Sequence, residues 1–291
     1  MKNRLLLLFS CFTFVVGNSQ NINSKMQEKN TPPIAKRIPH KLEKHGHVRN
    51  DEYYWLNDRE NPEVIDYLNK ENDYYKEETA NTVDFQKDLF EEMKSRIKED
   101  DQSVPYLYNG YYYITRHEKG KDYPIYSRKK GSLEAKEEIL FDCNELAKGQ
   151  SYFQLGGLSI SEDKKWAAFS VDLVSRRQYT LQFKNLETNE ILPTKIINTS
   201  GGATWAADNK TVFYSRNDEV TLRTDKIFKH KLGSDSADDQ LVFFEKDETF
   251  HCNVYKSKSQ KYLIIESGST LTSEYQTLLA NDPNGKFKVF Q

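Results

Sequence analysis

A recurring turn-and-strand unit constrains the fold of this chain more than any other feature. In the stretch 158–192, a polar turn at residues 161–165 leads into an apolar strand at 166–171. A charged loop around Arg176 and Arg177 then leads into a second strand at 179–184. Two hairpin-connected strands cannot bury both of their faces alone, so the unit requires neighbours of its own kind.

The same turn recurs twice further along the chain. Lys165, Lys210 and Lys261 each precede an apolar strand, and their separations are 45 and 51 residues. A strand-rich repeat of roughly 40 to 50 residues, with about four strands in each unit, indicates the blades of a β-propeller. A stacked sandwich would not explain why one turn-and-strand motif recurs. The sequence therefore predicts about four blades in residues 106–291.

The other predicted strand segments show the aromatic and β-branched residues that strands favour. They are residues 111–116, 123–128 and 138–142 in the first unit, 204–215, 226–231 and 240–244 in the third, and 253–265, 274–279 and 286–290 in the fourth.

Residues 31–105 precede the repeats and have a different character. Prolines punctuate residues 31–60, which predicts an extended, irregular backbone, and the aromatic cluster 53–56 is expected to pack against another part of the protein. Asn61 is a good N-cap for a helix that starts at Pro62, and a second helix is predicted over residues 83–99. Both helices carry an apolar stripe at helical spacing, and both stripes are expected to be core. The stripes are Val64, Tyr67, Leu68, Tyr74 and Tyr75 in the first helix, and Phe85, Leu89, Phe90, Met93 and Ile97 in the second.

The first 30 residues have the pattern of an export signal. Lys2 and Arg4 precede twelve residues (5–16) that are predominantly apolar, and Gly17–Asn18–Ser19 provides the small residues of a cleavage site near Ser19. Twelve residues are too few to cross a bilayer as a helix. A lipoprotein signal ending at Cys11 is disfavoured, because only five apolar residues precede Ser10. We therefore predict a signal peptide at 1–19, a disordered leader at 20–30, and a periplasmic or secreted protein with no membrane partner after cleavage.

The two remaining cysteines do not form a recognisable framework. Cys143 and Cys252 are far apart and have no partner at metal-binding spacing, so both are expected to be buried or half-buried thiols. The alternative is a single disulfide between them, which an oxidising compartment would allow. The net charge of −2 gives no reason to expect a nucleic-acid partner.

No catalytic, cofactor-binding or metal-binding residue is predicted. The nearest approach to a Gly-x-Ser-x-Gly nucleophile elbow is residues 157–161, which end in Ser161 and lead into a strand. The stretches 200–202 and 268–269 lack the motif and are interpreted as turns between strands. His45 and His47 lack further ligands, and His117, His230 and His251 are expected to be exposed at strand edges. The basic pairs Arg176–Arg177 and Lys129–Lys130 are interpreted as solvated loop charges.

Several co-linear motifs resemble the prolyl oligopeptidase family of serine peptidases, and within it the oligopeptidase B (protease II) branch. These motifs are residues 53–56, 61–68, 91–101, 103–105, 111–116 and 123–128, together with the unit at 158–190, and they span about residues 31–290. The turn 161–165 reads Ser-Glu-Asp-Lys-Lys, where the family has Ser-Pro-Asp-Gly.

The resemblance implies a seven-bladed propeller that covers an α/β-hydrolase domain and admits only short peptides to it. In the oligopeptidase B branch, the hydrolase domain cleaves these peptides after Arg or Lys. The expected fold is thus mainly β, an incomplete propeller of about four of seven blades behind an N-terminal helical segment, with the hydrolase domain and its catalytic triad absent. The expected function is that of the gating portion of such a peptidase, inactive alone, with short peptides and the missing hydrolase domain as partners. The alternative is an exported, propeller-like binding module without enzymatic activity.

Overall fold

The computed structural model describes residues 31–290, which form two compact units divided in sequence between Ile97 and Lys98. The predicted signal peptide and leader lie outside the described residues. Among the described residues, no helix has both the length and the apolar character needed to cross a membrane.

The first unit opens with a β-hairpin. Strand β1 spans Lys41–Lys44 and pairs antiparallel with β2, His47–Asn50. His45 and Gly46 form the turn with φ of 53° and 76°, the left-handed conformation of tight hairpin turns. The prediction of an irregular segment over residues 31–60 is wrong at this hairpin, because its strands are mostly exposed and carry no apolar alternation.

Two helices follow, α1 at Pro62–Glu78 and α2 at Val83–Ser95, with 3-10 turns at Tyr54–Asn57 and Ala80–Thr82. The predicted cap is confirmed, since Asn61 Oδ1 accepts a hydrogen bond from the Glu63 amide at 2.9 Å.

The apolar stripes of the two helices are largely uncovered. Val64 is the one buried residue of α1, and Phe85 and Phe90 of α2 are 66% and 57% exposed. The prediction that both stripes are core is therefore wrong for the described residues. Helical periodicity identifies an amphipathic face, but it does not show whether the same chain supplies the element that covers it.

The second unit is built almost entirely of short antiparallel strands. In residues 98–290 these are β3 Asp101–Gln102, β4 Tyr106–Tyr108, β5 Tyr111–His117, β6 Ile125–Lys130, β7 Glu137–Asp142, β8 Gln154–Ile160, β9 Trp166–Asp172, β10 Tyr179–Asn185, β11 Ile196–Trp205, β12 Thr211–Asn217, β13 Thr224–Lys231, β14 Gln240–Phe244, β15 His251–Lys256, β16 Tyr262–Gly268, β17 Ser273–Leu279 and β18 Lys288–Val289. A short helix, α3, spans Cys143–Leu146, and a 3-10 turn spans Ser236–Asp238.

These strands pair as four successive meanders, which are the four blades. Blade 1 contains β4 to β7, with β3 paired to β5, and blade 4 contains β15 to β18. Blades 2 and 3 share β11 and so form one seven-stranded sheet. Thr199, in the first part of β11, pairs with Tyr179 of β10, whereas Ala203 and Trp205, beyond a bulge, pair with β12.

The repeat predicted from the lysines is confirmed. Strands β9, β12 and β16 begin at Trp166, Thr211 and Tyr262, directly after Lys165, Lys210 and Lys261. The residue before each lysine adopts a left-handed backbone, with φ of 63° at Lys164, 56° at Asn209 and 61° at Gln260. The three turns are therefore equivalent in conformation as well as in sequence position.

Three apolar clusters lie between consecutive blades. Phe141 of blade 1 packs on Phe169 of blade 2 with ring centroids 4.7 Å apart, and Phe183 of blade 2 packs on Trp205 of blade 3 at 6.1 Å. Ile227 of blade 3 and Leu263 of blade 4 belong to the third cluster, and both are fully buried. Burial between blades supplies the main stabilisation of this unit.

Both cysteines are buried free thiols, as predicted, and the alternative disulfide does not form. Cys143 lies in the cluster between blades 1 and 2, and Cys252 in the cluster between blades 3 and 4. Burial raises the pKa of each thiol from an ordinary value near 9 to about 12.

Candidate functional site

A cavity of about 430 Å³ is lined by residues of all four blades. Strand β11 contacts both β8 and β15 at this cavity, and strands β4 to β7 of blade 1 form the rest of the wall. Because β8, β11 and β15 are the first strands of their blades, these strands form the inner edge of the ring. The cavity therefore lies where the inner strands of blades 2 to 4 meet blade 1.

The wall of the cavity is rich in aromatic rings. Tyr106 and Tyr113 of blade 1 stack with centroids 5.4 Å apart. Trp205 of blade 3 donates from Nε1 to the carbonyl oxygen of Ser159 in blade 2, at 3.0 Å. Rings combined with a few oriented polar groups are typical of surfaces that bind peptides or other small organic ligands.

The recurring turns lie at one end of this cavity and are joined to each other. Asn109 in the turn of blade 1 donates from Nδ2 to the Glu162 carbonyl oxygen at 3.1 Å. The Asp163 amide donates to Asn209 Oδ1 in the turn of blade 3 at 3.0 Å. In addition, Glu162 Oε1 forms an ion pair with Lys256 Nζ at the end of β15. These contacts fix the rim of the cavity.

The glycine-containing sequences that approach a nucleophile elbow are parts of strands. Gly157 lies within β8 and Gly201 within β11, so the interpretation of residues 200–202 as a turn is wrong. Ser269 lies between β16 and β17, as predicted. A Cβ on Gly157 would lie 2.2 Å from the Gly201 carbonyl oxygen, which shows that glycine is needed for the close approach of two inner strands. Neither stretch has the strand-to-helix geometry of an elbow.

The three histidines of the blades divide into two groups. His117 and His251 are exposed, as predicted. His230 is buried, and its Nδ1 lies 2.6 Å from Asp239 Oδ1, while Tyr214 donates its hydroxyl to Asp239 Oδ2 at 2.8 Å. The prediction of an exposed histidine is wrong at this position. Alternation along β13 places His230 on the same face as Phe228, toward blade 2, while Ile227 faces blade 4, so both faces of this strand are covered.

This buried group does not form a hydrolytic triad. Asp239 orients His230 as an acid orients the base of such a triad, but the third member is a tyrosine that hydrogen-bonds to the acid rather than to the base. Burial, followed by the hydrogen bond to Asp239, raises the pKa of Tyr214 far above its ordinary value. In the described residues, the network is a structural link between β12, β13 and the segment that precedes β14.

The basic pairs lie in two different settings. Arg176 and Arg177 are exposed in the loop after β9, and their amides donate to the fully buried carboxylate of Asp172 at 3.0 and 2.7 Å. Lys129 and Lys130 lie in β6 rather than in a loop, and Lys129 Nζ donates to the Leu133 carbonyl oxygen at 2.7 Å. The interpretation as loop charges is therefore wrong for the lysine pair.

A metal centre finds no support in the described part of the chain. His45 and His47 flank the turn of the first hairpin, and residues 31–290 contain no group of three or more His, Cys, Asp or Glu placed to hold a metal ion.

Comparison with known proteins places this architecture in a family. The profile of the prolyl oligopeptidase N-terminal β-propeller domain matches residues 32–290. The chain therefore belongs to the prolyl oligopeptidase family, and it carries the N-terminal β-propeller domain of that family.

Curated relatives and solved structures agree with this assignment. Dipeptidyl aminopeptidase BI of Pseudoxanthomonas mexicana is 37% identical over 99% of the chain, and protease 2 of Moraxella lacunata is 37% identical over 86% of it. Oligopeptidase B from Leishmania major superimposes on 90% of the chain with a TM-score of 0.84 and 31% identity. The structure of the Trypanosoma brucei oligopeptidase B with covalently bound antipain gives 0.81 and 27% identity.

The chain spans less than half of the length of these proteins. It covers 42% of the dipeptidyl aminopeptidase, 37% of protease 2 and 39% of the Leishmania enzyme. The similarity thus concerns the propeller portion, and the resemblance inferred from the sequence is confirmed at this level.

Proposed function

We propose that this chain is the gating portion of an oligopeptidase B-like serine peptidase that hydrolyses short peptides after Arg or Lys. In this proposal the hydrolytic step belongs to an α/β-hydrolase domain with a Ser-His-Asp triad, and the propeller admits short peptides to it through the central cavity. The 291-residue chain has no peptidase activity by itself.

The observation that carries the proposal is the central cavity lined by all four blades. A cavity of about 430 Å³ is within the range that holds a small ligand, about 300 to 1,000 Å³, and does not accommodate a folded domain. A cavity of this volume holds a short peptide segment and excludes a globular protein. The uncovered apolar face of α2, at Phe85, Leu89 and Phe90, also supports the proposal, because such a face requires a packing partner.

A chimaera tests the proposal directly. Residues 31–290 would replace the matched 37% of protease 2 from Moraxella lacunata, and the remainder of that enzyme would be kept. We expect the chimaera to cleave short chromogenic peptides ending in Arg or Lys, and to spare a folded protein with the same residues at its surface. A chimaera that folds but cleaves neither, or one that degrades folded proteins, contradicts the gating role.

The alternative function, a self-standing binding module, makes a different prediction for the same proteins. Such a module would bind peptides tightly as the 291-residue chain alone, and its cavity would not support turnover in the chimaera. Calorimetric titration of the isolated chain with short Arg-containing peptides separates the two functions, because a gate that lets peptides pass has no need of tight binding.

We also propose that the protein is exported, with its signal peptide removed near Ser19. Mass spectrometry of the N-terminus from periplasmic and extracellular fractions tests this proposal. An intact N-terminus on protein confined to the cytoplasm contradicts it.

A further inference from the structure

The ion pair between Glu162 and Lys256 joins two blades that are not neighbours. Glu162 lies in the turn after β8, in blade 2, and Lys256 is the last residue of β15, in blade 4. Blade 3 lies between them, and its inner strand contributes Thr204 and Trp205 to the cavity wall. The pair therefore extends over the inner strand of blade 3, across one end of the cavity.

Both charged groups are held in place at that rim. The Glu162 carbonyl accepts from Asn109, and the neighbouring Asp163 amide donates to Asn209, so the turn that carries Glu162 is tied to blades 1 and 3. The Lys256 side chain is 11% exposed and the Glu162 side chain 34%, so the ammonium group lies below the carboxylate. Both residues line the cavity itself.

The pair is not needed to hold the blades together. Blades 2 and 3, and blades 3 and 4, are already joined by buried apolar clusters, and blade 3 joins to blade 4 through the Ala207 amide and the Ala280 carbonyl oxygen at 2.8 Å. The contact joins two side chains, and the Glu162 carboxylate is 34% exposed, so water and salt ions reach the ion pair from that side. It can open while the surrounding backbone stays in place.

We propose that Glu162 and Lys256 form a latch across the mouth of the central cavity, and that opening of this ion pair sets the size of the peptide that enters. The inference rests on the proposed function in one respect, since the entering ligand is a short peptide. The latch itself is a property of residues 98–290 and can be measured without any peptidase activity.

Labelling of a cysteine inside the cavity measures the latch. Ser159 lines the cavity, and the change Ser159→Cys replaces a single atom. The native Cys143 and Cys252 are each 1% exposed and do not compete in the folded state. A small methanethiosulfonate and a bulky polymer-linked maleimide would be compared on the full chain, with the Ser159 parent as blank.

Breaking the pair should open the cavity to the bulky reagent. We expect Glu162→Gln and Lys256→Met each to accelerate bulky labelling roughly fivefold, the range allowed by the loss of a partly exposed ion pair. Labelling by the small reagent should change much less. The charge-swapped double variant Glu162→Lys with Lys256→Glu should restore the slow rate, and added salt should accelerate bulky labelling only where the pair is intact.

A matched control separates the latch from a general effect of charge. Glu187 pairs with Lys165 at 3.5 Å, and both side chains are more than half exposed. Glu187→Gln removes an exposed carboxylate that does not line the cavity, and it should leave labelling unchanged. Equal acceleration by Glu187→Gln, or no acceleration by either latch variant, overturns the proposal.

Hydrogen exchange on the unmodified chain provides a second measurement if Ser159→Cys fails to fold. Amides of residues 158–160 and 203–206 should exchange faster in Glu162→Gln than in the parent, while those of strand β13, which does not line the cavity, stay unchanged. Uniform acceleration over all blades means loss of stability and overturns the latch. The latch and the proposed function can fail separately. If the latch variants behave as expected but the chimaera does not cleave peptides, the latch stands and the proposed function is wrong.

Discussion

Gly157 of blade 2 lies directly against the backbone of Gly201 in blade 3, and a Cβ at position 157 would stand 2.2 Å from the Gly201 carbonyl oxygen. Real Cβ atoms do not approach an oxygen this closely, so one of the two inner strands would have to move. The contact occurs where β8 and β11 meet at the inner edge of the ring. It explains why these strands carry glycine where a β-strand ordinarily disfavours it.

We therefore expect Gly157→Ala to destabilise the propeller unit by about 2 to 3 kcal/mol, as overpacking against a backbone atom does. The matched control is Gly202→Ala, because a Cβ at Gly202 meets no atom within 4 Å. Urea unfolding followed by tryptophan fluorescence measures both. Equal stability of the two variants would show that the strands separate without cost.

Asp172 offers a second test of what holds the blade loops. Its fully buried carboxylate accepts from the amides of Val174, Arg176 and Arg177, whereas Asp218 accepts from the amides of Val220 and Thr221 in a more open loop of blade 3. Asp172→Ala should cost about 2 to 3 kcal/mol, because three backbone amides lose one charged acceptor that lies in a buried site. Asp218→Ala should cost less than about 1 kcal/mol, because water replaces the lost acceptor. A reversed order of the two melting temperatures contradicts this account.

The buried thiols make the protein sensitive to alkali. Because the folded-state pKa of Cys143 and of Cys252 is about 12, each thiol ionises first in the unfolded chain, from about pH 9 upward. Stability contributed by the neutral thiols is complete below pH 9 and is lost progressively between pH 9 and 12. We expect Cys252→Ala to lose about 2 kcal/mol less stability than the parent between pH 8 and 10.5 in urea unfolding. Parallel pH curves for the two proteins would refute the assignment.

The exposed stripe of α2 should limit solubility. Phe85 and Phe90 are 66% and 57% exposed, so Phe85→Glu together with Phe90→Glu removes apolar surface without opening a core. We expect a larger monomer fraction in sedimentation velocity and an unchanged melting temperature. A lower melting temperature would mean that the two rings are buried in the folded chain in solution.

The strands that could be predicted from sequence are those with apolar or alternating residues bounded by polar turns. Strands β9 and β10 were predicted to within one residue, because Trp166 and Tyr179 open runs of apolar residues bounded by polar turns. The inner strand β8 was missed and β11 only partly found, because Gly156, Gly157 and Gly201 serve close contact between backbones and leave no apolar pattern.

Burial at particular positions could be predicted only in part. His230 is buried because Phe183 stacks on its ring at 5.1 Å and Asp239 hydrogen-bonds to one ring nitrogen. Neither partner belongs to the strand pattern around His230. The latch pair is separated by 94 residues, and no local signal connects Glu162 with Lys256. The repeat predicts a β-propeller, but it does not predict which side chains of different blades come into contact.

Turnover by the purified 291-residue chain tests the central claim most directly. The account predicts no cleavage of Arg- or Lys-terminated chromogenic peptides, because residues 31–290 hold a propeller cavity and a buried Tyr214–Asp239–His230 network rather than a nucleophile with its base. Measurable turnover that a serine-directed inhibitor abolishes would contradict it.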